Sequence, residues 1–539
     1  MKSYDELRDG FRWDIPARFN IGVSCADRQP PHDPALTALA PDGSRREVTF
    51  GELAALSNRF GNALRGLGVG PGDRVAIVLP QRLETAIAHL AVYKLGAIAV
   101  PMSVLFGPDA LGHRLGDSGA RAIVTGERSL ETVAPLADEL DVIVVDGDAR
   151  APHHAFWQLL ESASDRLTPV DTEADEPALL VYTSGTTGPA KGALHAHRVL
   201  LGHVPGFHLS HDCFPQPGDR FWSPADWAWI GGLLNSLLLP WLHGRPVVGA
   251  VREGAFDPEW ALALVVSEQV RNTFLPPTAL KLMRSAGVRL EPGALRTLMS
   301  AGEALGAELL AWAGEHLGVT VNEMWGQTEA NYIVGNSSRV WEIRPGSMGR
   351  SYPGHTVGVL DGNGLPVAPG EIGELGVLTP DPVVFLEYWR RPEQTRAKVP
   401  DRWLRTGDRA RMDEDGYLWF EGRTDDVISS AGYRIGPEEI EGCLLTHPSV
   451  ALSAAIGIPD ETRGEAIKVF VKLREGYAPT PALEHELRQF VRSQLAAYEY
   501  PRHVAFVEEL PLTVTGKIRR AELRRRERDA AVDAPAAGE

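Results

Sequence analysis

Short apolar runs alternate with segments of helical length along the first two thirds of the chain. Runs of four or five apolar residues, bounded by Gly, Pro or Asp, are typical of strands that are buried on both faces of a parallel sheet. The intervening segments 83–95 and 109–117 are predicted to be helices. The predicted strands are 75–79, 97–100, 120–124, 142–145, 179–182, 246–249 and 320–324. This alternation predicts a parallel α/β architecture.

The pattern changes after Ser347, where Gly and Pro become more frequent and the strand-like runs become shorter. The runs 356–360 and 373–378 predict a small antiparallel β subdomain. After Asp425 the chain shows a compact α+β pattern that ends in a run of basic residues. We therefore predict two domains, 1–424 and 425–539, with no internal repeat.

The composition is that of a folded protein with more than one core. The chain has 539 residues, of which 44% are apolar and 23% charged, whereas a single core rarely grows beyond about 300 residues. Its 54 Lys and Arg and 71 Asp and Glu give a net charge of −17. Such an acidic chain is a poor general binder of nucleic acid or anionic membranes, although a local basic site for a phosphorylated ligand stays open.

Cysteine usage and hydropathy favour a cytoplasmic protein. Cys25, Cys213 and Cys443 are far apart and show neither a disulfide framework nor a metal-binding spacing. The N-terminal residues lack the apolar core of a secretory signal. The most apolar stretch, 231–242, is too short to span a bilayer.

The segment that carries most chemistry is the loop 182–192, Tyr-Thr-Ser-Gly-Thr-Thr-Gly-Pro-Ala-Lys-Gly, directly after a predicted strand. Its glycines allow the backbone to approach a ligand, and its N–H groups and hydroxyls can surround phosphate oxygens. Lys191 adds a positive charge, but the spacing differs from the Walker A pattern. A flexible polar loop is the alternative. The preceding strand and the length of the segment favour a phosphate-binding loop.

Further motifs follow at 322–329 (Asn-Glu-Met-Trp-Gly-Gln-Thr-Glu), 404–408 (Leu-Arg-Thr-Gly-Asp), 422–438 and 511–518. In their order and spacing, the five segments resemble the adenylate-forming superfamily of acyl-CoA synthetases, luciferases and adenylation domains of peptide synthetases. The resemblance covers residues 49–525 and is greatest to AMP-forming medium-chain acyl-CoA synthetases. It implies a large N-terminal domain of stacked α/β sheets with a small antiparallel β subdomain, followed by a smaller, mobile α+β domain.

The resemblance implies a ligation in two steps. The carboxylate of an acid attacks the α-phosphate of ATP, which gives acyl-AMP and pyrophosphate, and the thiol of coenzyme A then attacks the acyl carbonyl and releases AMP. Positioning and charge neutralisation carry the first step, so no nucleophilic side chain is needed. The implied cofactors are ATP, Mg²⁺ and coenzyme A. Loading of a carrier protein and an aryl acid as the substrate are the alternatives.

The resemblance also assigns the nucleotide site. Glu329 is expected to hold Mg²⁺, Thr328 to bind the α-phosphate, and Asp408 to bind the ribose hydroxyls. Lys517 is expected to bridge the carboxylate of the acid and the α-phosphate, and it is the catalytic residue together with Thr328 and Glu329. The other nucleotide contacts are expected from Thr183, Ser184, Gly185, Thr186, Thr187, Gly188 and Lys191 at the β- and γ-phosphates, from Gly302, Glu303, Glu323, Met324 and Trp325 at the adenine, and from Gly326, Gln327 and Arg423. His195 and His197 are predicted to be structural.

Asp425 occupies the position of the family's hinge, about which the smaller domain is expected to rotate between the two steps. The rotation would withdraw Lys517. The residues expected to meet coenzyme A are Ala431, Gly432 and Tyr433 at the pantetheine arm, and Arg434 and Arg463 at its phosphates or at the rotated interface.

One position departs from the family's pattern. Glu499 stands where relatives commonly carry a lysine associated with coenzyme A binding. A carboxylate there would repel a phosphate, and it is the one feature that favours a carrier protein as the acceptor.

The resemblance locates the acyl pocket among Trp229, Ile230, Gly231, Ala301 and Gly326. Acetate-specific relatives carry a tryptophan at the position of Gly326. The small residues here leave room for roughly four to ten carbons in a straight, branched or cyclic acid. A tryptophan introduced at Gly326 is expected to fill an empty tunnel and to shorten the accepted chain. The alternative is that Trp227 or Trp229 fills the space.

The implied partners are therefore small molecules, namely the acid, ATP and coenzyme A, with no nucleic acid and no membrane span. A monomer and a homodimer both stay open. Acylation of Lys517 would delete its charge, so a protein acetyltransferase and a deacetylase acting on Lys517 are hypothetical regulators.

Overall fold

The computed structural model describes residues 3–136, 140–147, 152–183, 189–251, 254, 256–302, 305–423, 428–511, 518 and 520–533. The chain forms two compact units. The first comprises Met1–Val104, Leu115–Tyr182 and Gly192–Gly422, and the second comprises Leu105–Arg114, Thr183–Lys191 and Arg423–Glu539. The predicted domain boundary and the hinge at Asp425 fall in 424–427, outside the described residues, so both stay predictions.

The strands are numbered in chain order. Those before residue 200 are β1 Pro34–Leu39, β2 Arg45–Thr49, β3 Arg74–Val78, β4 Ile98–Pro101, β5 Ala122–Thr125, β6 Asp141–Val144, β7 His154–Ala155, β8 Pro177–Thr183 and β9 Lys191–Ala196. The next group is β10 Phe221–Trp222, β11 Val247–Ala250, β12 Asn272–Phe274, β13 Thr297–Ala301, β14 Val321–Trp325, β15 Val334–Gly335 and β16 Arg350–Ser351. The third is β17 Val357–Leu360, β18 Ile372–Leu378, β19 Glu387–Tyr388, β20 Trp403–Met412 and β21 Leu418–Arg423. The last is β22 Ile428–Ser430, β23 Tyr433–Ile435, β24 Val450–Asp460, β25 Gly464–Leu473 and β26 His503–Phe506.

The helices are numbered in the same way. They are α1 Tyr4–Asp9, α2 Phe50–Gly66, α3 Leu83–Lys94, α4 Pro108–Ser118, α5 Glu127–Val133, α6 Phe156–Ser162, α7 Val199–Gly202, α8 Val204–Ser210, α9 Leu239–Leu242, α10 Pro258–Ser267, α11 Pro277–Ser285, α12 Ala307–His316, α13 Pro392–Lys398, α14 Pro437–Leu445, α15 Pro481–Gln494 and α16 Arg520–Asp533. Among the described residues, the segments Val23–Asp27 and Gly231–Leu238 are π-helical. None of the described helices is long and apolar enough to cross a membrane.

Two large sheets organise the first unit. One has the strand order β19-β9-β8-β4-β3-β5-β6-β7, and the other has the order β16-β15-β14-β13-β12-β10-β11-β1-β2. Their central strands pair in parallel. Such strands are apolar at nearly every position because helices cover both faces of the sheet. The predicted strands are therefore present, with ends that differ by one or two residues, and the predicted α/β class is confirmed.

The helix α3 shows how deeply this unit is buried. All of its residues are buried, including Lys94, whose ammonium group is paired with Asp27 at 2.7 Å and donates to Ser57 Oγ at 2.8 Å. A buried ammonium group is tolerated only with such partners. This helix belongs to an apolar cluster that also contains Ile230 and Ala301, predicted residues of the acyl pocket.

The predicted antiparallel subdomain is the sheet β17-β18-β20-β21, in which β17 pairs with β18 and β18 with β20 in antiparallel register. The second unit contains the sheet β23-β22-β25-β24, and β26 pairs in parallel with β25. Its apolar core includes residues of α14 and α15. The predicted α+β pattern of this part is present.

Candidate active site

The candidate nucleotide site lies where β13 and β14 end. The two strands are parallel, with Ala301 opposite Met324, so their carboxyl ends meet at the same edge of the sheet, where ligands of α/β proteins commonly bind. Gly302 follows β13 with a φ of +104°, a conformation that only glycine adopts without strain. The motif 326–329 follows β14 at the same edge.

The loop after β14 is tightly folded. Gln327 N donates to Ala330 O at 2.9 Å, and Ile333 N donates to Trp325 O at 3.2 Å. A Cβ added to Gly326 would lie 2.5 Å from Tyr332 N and 2.9 Å from Asn331 Cα. Backbone atoms cannot be displaced cheaply, so the expectation that an indole at Gly326 simply fills empty space is wrong. Whether Gly326 borders the acid stays a prediction.

Asp408 is fully buried and joins the two motifs of the nucleotide site. Its Oδ2 accepts from Trp325 Nε1 at 3.0 Å and from Gln327 Nε2 at 2.9 Å. Its own N–H donates to Thr406 Oγ1 at 3.1 Å. These bonds fix the orientation of the carboxylate. A carboxylate held in this way is suited to accept hydrogen bonds from two ribose hydroxyls, since an ionised carboxylate only accepts.

Glu329 is also buried and has a partner that the sequence did not reveal. Tyr388 Oη donates to Glu329 Oε1 at 2.5 Å, and Phe385 N donates to the backbone oxygen of Glu329 at 2.9 Å. Tyr388 lies in β19, 59 residues further along the chain, so no local pattern connects the two. The tyrosine holds one oxygen of the candidate magnesium ligand in place.

The surroundings of Glu329 fit Mg²⁺ better than a metal bound by protein alone. No group of three or more His, Cys, Asp or Glu side chains that could hold a metal occurs among the described residues. Magnesium typically takes one or two carboxylates and completes its shell with phosphate oxygens and water. A single buried carboxylate is therefore the appropriate ligand, and the assignment of Glu329 to the metal stays a prediction.

His195 and His197 lie in and after β9 and are buried. Burial, and to a lesser extent the neighbouring His203, lowers the pKa of His195 to about 4, although the charge of Glu329 opposes the shift. Burial lowers the pKa of His197 to about 3, and His197 Nδ1 accepts from Ile21 N at 3.2 Å. Both imidazoles are uncharged near neutral pH, which is consistent with the structural role predicted for them.

Glu323 has an unusual protonation state. Its carboxyl group is buried and accepts from Leu305 N at 3.3 Å. Burial raises the pKa of Glu323 to about 8, so the group is mostly neutral at pH 7. A neutral carboxyl group beside the site does not repel the phosphates of a nucleotide. The adenine contacts expected from Glu323, Met324 and Trp325 stay predictions.

Two adjacent glycines of the candidate acyl pocket differ in the space that surrounds them. A Cβ added to Gly231 would meet only Phe274 Cε1 at 3.6 Å and Asn235 Nδ2 at 3.8 Å, which are ordinary contacts. A Cβ added to Gly232 would collide with the backbone oxygen of Asp226. Of these two glycines, only Gly231 has room beside it for a further carbon atom.

The apolar atom nearest to a Cβ on Gly231 belongs to Phe274. Phe274, Ala301 and Met324 belong to the same buried cluster as Ile230. Trp227, one of the two side chains that could have filled the pocket, is buried against Gly249, because a Cβ on Gly249 would lie 2.9 Å from its ring. Trp229 is only partly buried.

Several predicted site residues lie outside the described residues. They are Ser184, Gly185, Thr186, Thr187, Gly188, Glu303, Asp425 and Lys517. Thr183 and Lys191 are described at the ends of β8 and β9, and Arg423 and Arg434 are described for their backbone alone. The phosphate-binding role of this loop and the roles of these side chains stay predictions.

The second unit contains the residues predicted to meet coenzyme A. Ala431 and Gly432 form the two-residue turn between β22 and β23, with φ values of +53° and +82°. Such a turn needs positive φ at both positions, which is uncommon for alanine. Ala431 N donates to Arg463 O at 2.8 Å. Tyr433 stacks on Tyr498 with ring centroids 4.0 Å apart.

Glu499 does not present a charge on the surface. Its side chain is buried, and one oxygen accepts from Ala496 N at 2.8 Å. Burial, followed by the hydrogen bond and the charge of Glu439, raises the pKa of Glu499 well above its ordinary value, although Arg114 opposes the shift. Glu499 therefore presents no exposed carboxylate that could repel a phosphate of coenzyme A.

Comparisons with known proteins agree with the sequence motifs. The family profile "AMP-binding enzyme" matches residues 24–389, and that of the AMP-binding enzyme C-terminal domain matches residues 439–517. The chain is 34% identical to the acetyl-coenzyme A synthetase of Bacillus subtilis (strain 168), over 97% of this chain and 95% of that protein. It is 33% identical to the mitochondrial acyl-coenzyme A synthetase ACSM3 of Rattus norvegicus, over 97% of this chain and 93% of that protein.

A solved structure shows the same similarity. The crystal structure of the acyl-CoA synthetase of Brucella canis superposes with a TM-score of 0.74 at 32% identity, over 98% of this chain and 100% of that one. The predicted resemblance and the predicted reaction class, an acid–CoA ligase that uses ATP, Mg²⁺ and coenzyme A, are confirmed. The relatives are named for different acids, so the preferred chain length of the acid stays a proposal. The chain belongs to the AMP-binding enzyme family, the adenylate-forming enzymes that its motifs resemble.

Proposed function

We propose that this acid–CoA ligase activates short-to-medium-chain acids of roughly four to ten carbons, straight, branched or cyclic. The observation that carries the proposal is the space over Gly231. The nearest atoms to a Cβ there are 3.6 and 3.8 Å away, and Phe274, to which the first of them belongs, lies in the same buried apolar cluster as Ile230 and Ala301. Gly231 therefore leaves room for at least one carbon atom where a larger residue would place its own side chain, which supports an acid longer than acetate.

In the first step, a carboxylate oxygen of the acid forms a bond to the α-phosphorus of ATP, and the bond to the bridging oxygen of pyrophosphate breaks. Asp408 would hold the ribose, because Trp325 and Gln327 fix its carboxylate. Glu329 would bind Mg²⁺, which neutralises phosphate charge when bound. Lys517 and Thr328 would stabilise the charge on the α-phosphate as the new bond forms.

In the second step, the thiol of coenzyme A forms a thioester with the acyl carbon, and AMP leaves with the oxygen that had linked it. Ala431, Gly432 and Tyr433 are the candidates for contact with the pantetheine arm. The burial of Glu499 and its raised pKa weaken the argument for a carrier protein, which needed an exposed, charged carboxylate. Coenzyme A is therefore the acceptor in this proposal.

Acid-dependent formation of AMP, measured with and without coenzyme A, tests the proposal. The acids should run from acetate to dodecanoate and include branched acids, cyclohexane carboxylate and benzoate. We expect kcat/KM to rise with chain length from acetate and to reach its maximum within the range of four to ten carbons, because each buried methylene contributes about 0.8 kcal/mol. A maximum at acetate or at benzoate would contradict the proposed acid class. Acyl-AMP that accumulates with coenzyme A present would contradict the proposed acceptor.

A further inference from the structure

The π-helical segment Gly231–Leu238 contains a buried amide that the nucleotide chemistry does not use. Asn235 is fully buried, and within the described part of the chain neither its Nδ2 nor its Oδ1 has a hydrogen-bond partner. The adjacent Ser236 differs, because its hydroxyl donates to Gly232 O in the same segment. Buried polar groups are nearly always paired, and an unpaired one destabilises the fold. π-Helical segments are frequently found at functional sites.

The amide lies beside Gly231, a predicted residue of the acyl pocket. Nδ2 of Asn235 lies 3.8 Å from the position of a Cβ on Gly231, and Phe274 Cε1 lies 3.6 Å from the same point. The amide and the ring edge therefore border one space. Phe274 belongs to the buried cluster that contains Ile230 and Ala301, which are predicted to line the pocket.

The chemistry of the amide restricts what can occupy this space. An unsubstituted alkyl chain would leave both the donor and the acceptor unpaired. A carbonyl group could only accept from Nδ2, whereas a hydroxyl group can accept from Nδ2 and donate to Oδ1. A second carboxylate would need a positive partner, and the side chains found around this position are an amide and an aromatic ring.

We propose that Asn235 is a specificity-determining residue and that the acid carries a hydroxyl group along its chain, at the depth of Gly231. The inference rests on the proposed function, since it concerns the acid that the same pocket accepts. The inference narrows the proposed acids to one chemical class, hydroxy acids of medium length. Sites that are built to hydrogen-bond a hydroxyl discriminate strongly against the analogue that lacks it.

Matched pairs of acids provide the test. For butanoate to decanoate, kcat/KM is measured from AMP release for each plain acid and for its monohydroxy isomers, with the hydroxyl moved outward from carbon 3. We expect at least one isomer to exceed its plain parent by about tenfold or more in the wild type. Asn235→Leu keeps the number and branching of the heavy atoms but removes both polar atoms. It should abolish that preference and raise the melting temperature, because the unpaired amide is gone.

Ser236→Ala is the matched control, because it removes a buried polar group from the same segment whose hydrogen bond is internal. It should keep the preference for the hydroxy acid. If Asn235→Leu fails to fold, Asn235→Ala and the comparison of plain and hydroxy acids in the wild type still test the role of Asn235. Equal or greater activity on plain acids in the wild type would overturn the inference, and so would a hydroxyl preference that survives in the Asn235 variants. Absence of AMP formation with every acid would instead show that the proposed function is wrong, and the inference would fall with it.

Discussion

The two adjacent glycines at the start of the π-helical segment allow the acyl pocket to be tested by substitutions that add a single methyl group. A methyl group at Gly231 would meet Phe274 and Asn235 at ordinary contact distances, whereas one at Gly232 would collide with the backbone of Asp226. Gly231→Ala and Gly231→Val should therefore fold and narrow the pocket. Alanine also favours helical backbone over glycine, so Gly231→Ala should not lower the melting temperature.

The expected magnitude follows from the volume that is lost. Alanine at Gly231 takes the place of about one methylene of the substrate, worth about 0.8 kcal/mol, which is about fourfold in kcat/KM. Valine adds three carbon atoms and excludes two or three methylenes. The loss is then about 2 kcal/mol, or about thirtyfold, on the longest acids that the wild type accepts. Acetate and propionate should be affected little, because they do not reach the space over Gly231.

The assay is the chain-length profile of kcat/KM, measured from AMP release for the wild type and the variants. Gly232→Ala is the matched control. It should lower the melting temperature and the activity on all acids alike, because the collision distorts the backbone rather than the pocket. A folded Gly231→Val enzyme with the wild-type profile would refute the assignment of Gly231 to the acyl pocket. A selective loss of long acids in Gly232→Ala would show that the geometry of the segment is misjudged.

Three further predictions concern other parts of the chain. Asp408→Asn should raise the KM for ATP about tenfold to a hundredfold, because hydrogen bonds to charged groups contribute about 1.5–3 kcal/mol; a change in the KM for the acid alone would contradict ribose binding. Lys517→Ala should slow acyl-AMP formation about a hundredfold or more and spare thioester formation from supplied acyl-AMP, and equal losses in both steps would contradict its role. Glu499→Gln should be more stable than the wild type at pH 7.5 and similar to it at pH 4, by thermal unfolding; equal melting temperatures at pH 7.5 would count against a raised pKa.

The sign of the last prediction follows from proton linkage. The unfolded chain loses the proton of Glu499 near the ordinary value of 4.5, whereas the pKa in the folded protein lies well above it. Between these two pKa values the folded state binds more protons, so the stability falls as the pH rises. Glutamine stays neutral throughout this window and avoids the loss. Its amide can still donate to the carboxylate of Glu439, which takes part in the shift.

Local sequence was sufficient for the fold class and for the family. The central strands are visible as short apolar runs because a strand that is buried on both faces needs apolar residues at consecutive positions. The nucleotide motifs are visible because five segments follow one another in a characteristic order and spacing. Both properties depend on neighbours in the chain, so they can be recognised without knowledge of the tertiary contacts.

The tertiary structure decided what each of these residues contacts. Gly231, Gly232 and Gly326 are equivalent as letters in a sequence, yet only the first borders space, because the chain folds the backbone of residues 225–226 against Gly232 and that of residues 331–332 against Gly326. The contact of Asp408 with Trp325 spans 83 residues, and that of Tyr388 with Glu329 spans 59. The raised pKa of Glu499 likewise depends on its burial and on Glu439, 60 residues earlier in the chain. Hydrogen-bond partners and desolvation arise from atoms that are close in space and far apart in the chain, and the free volume at a glycine depends on how the chain folds around it, so no sequence pattern contains them.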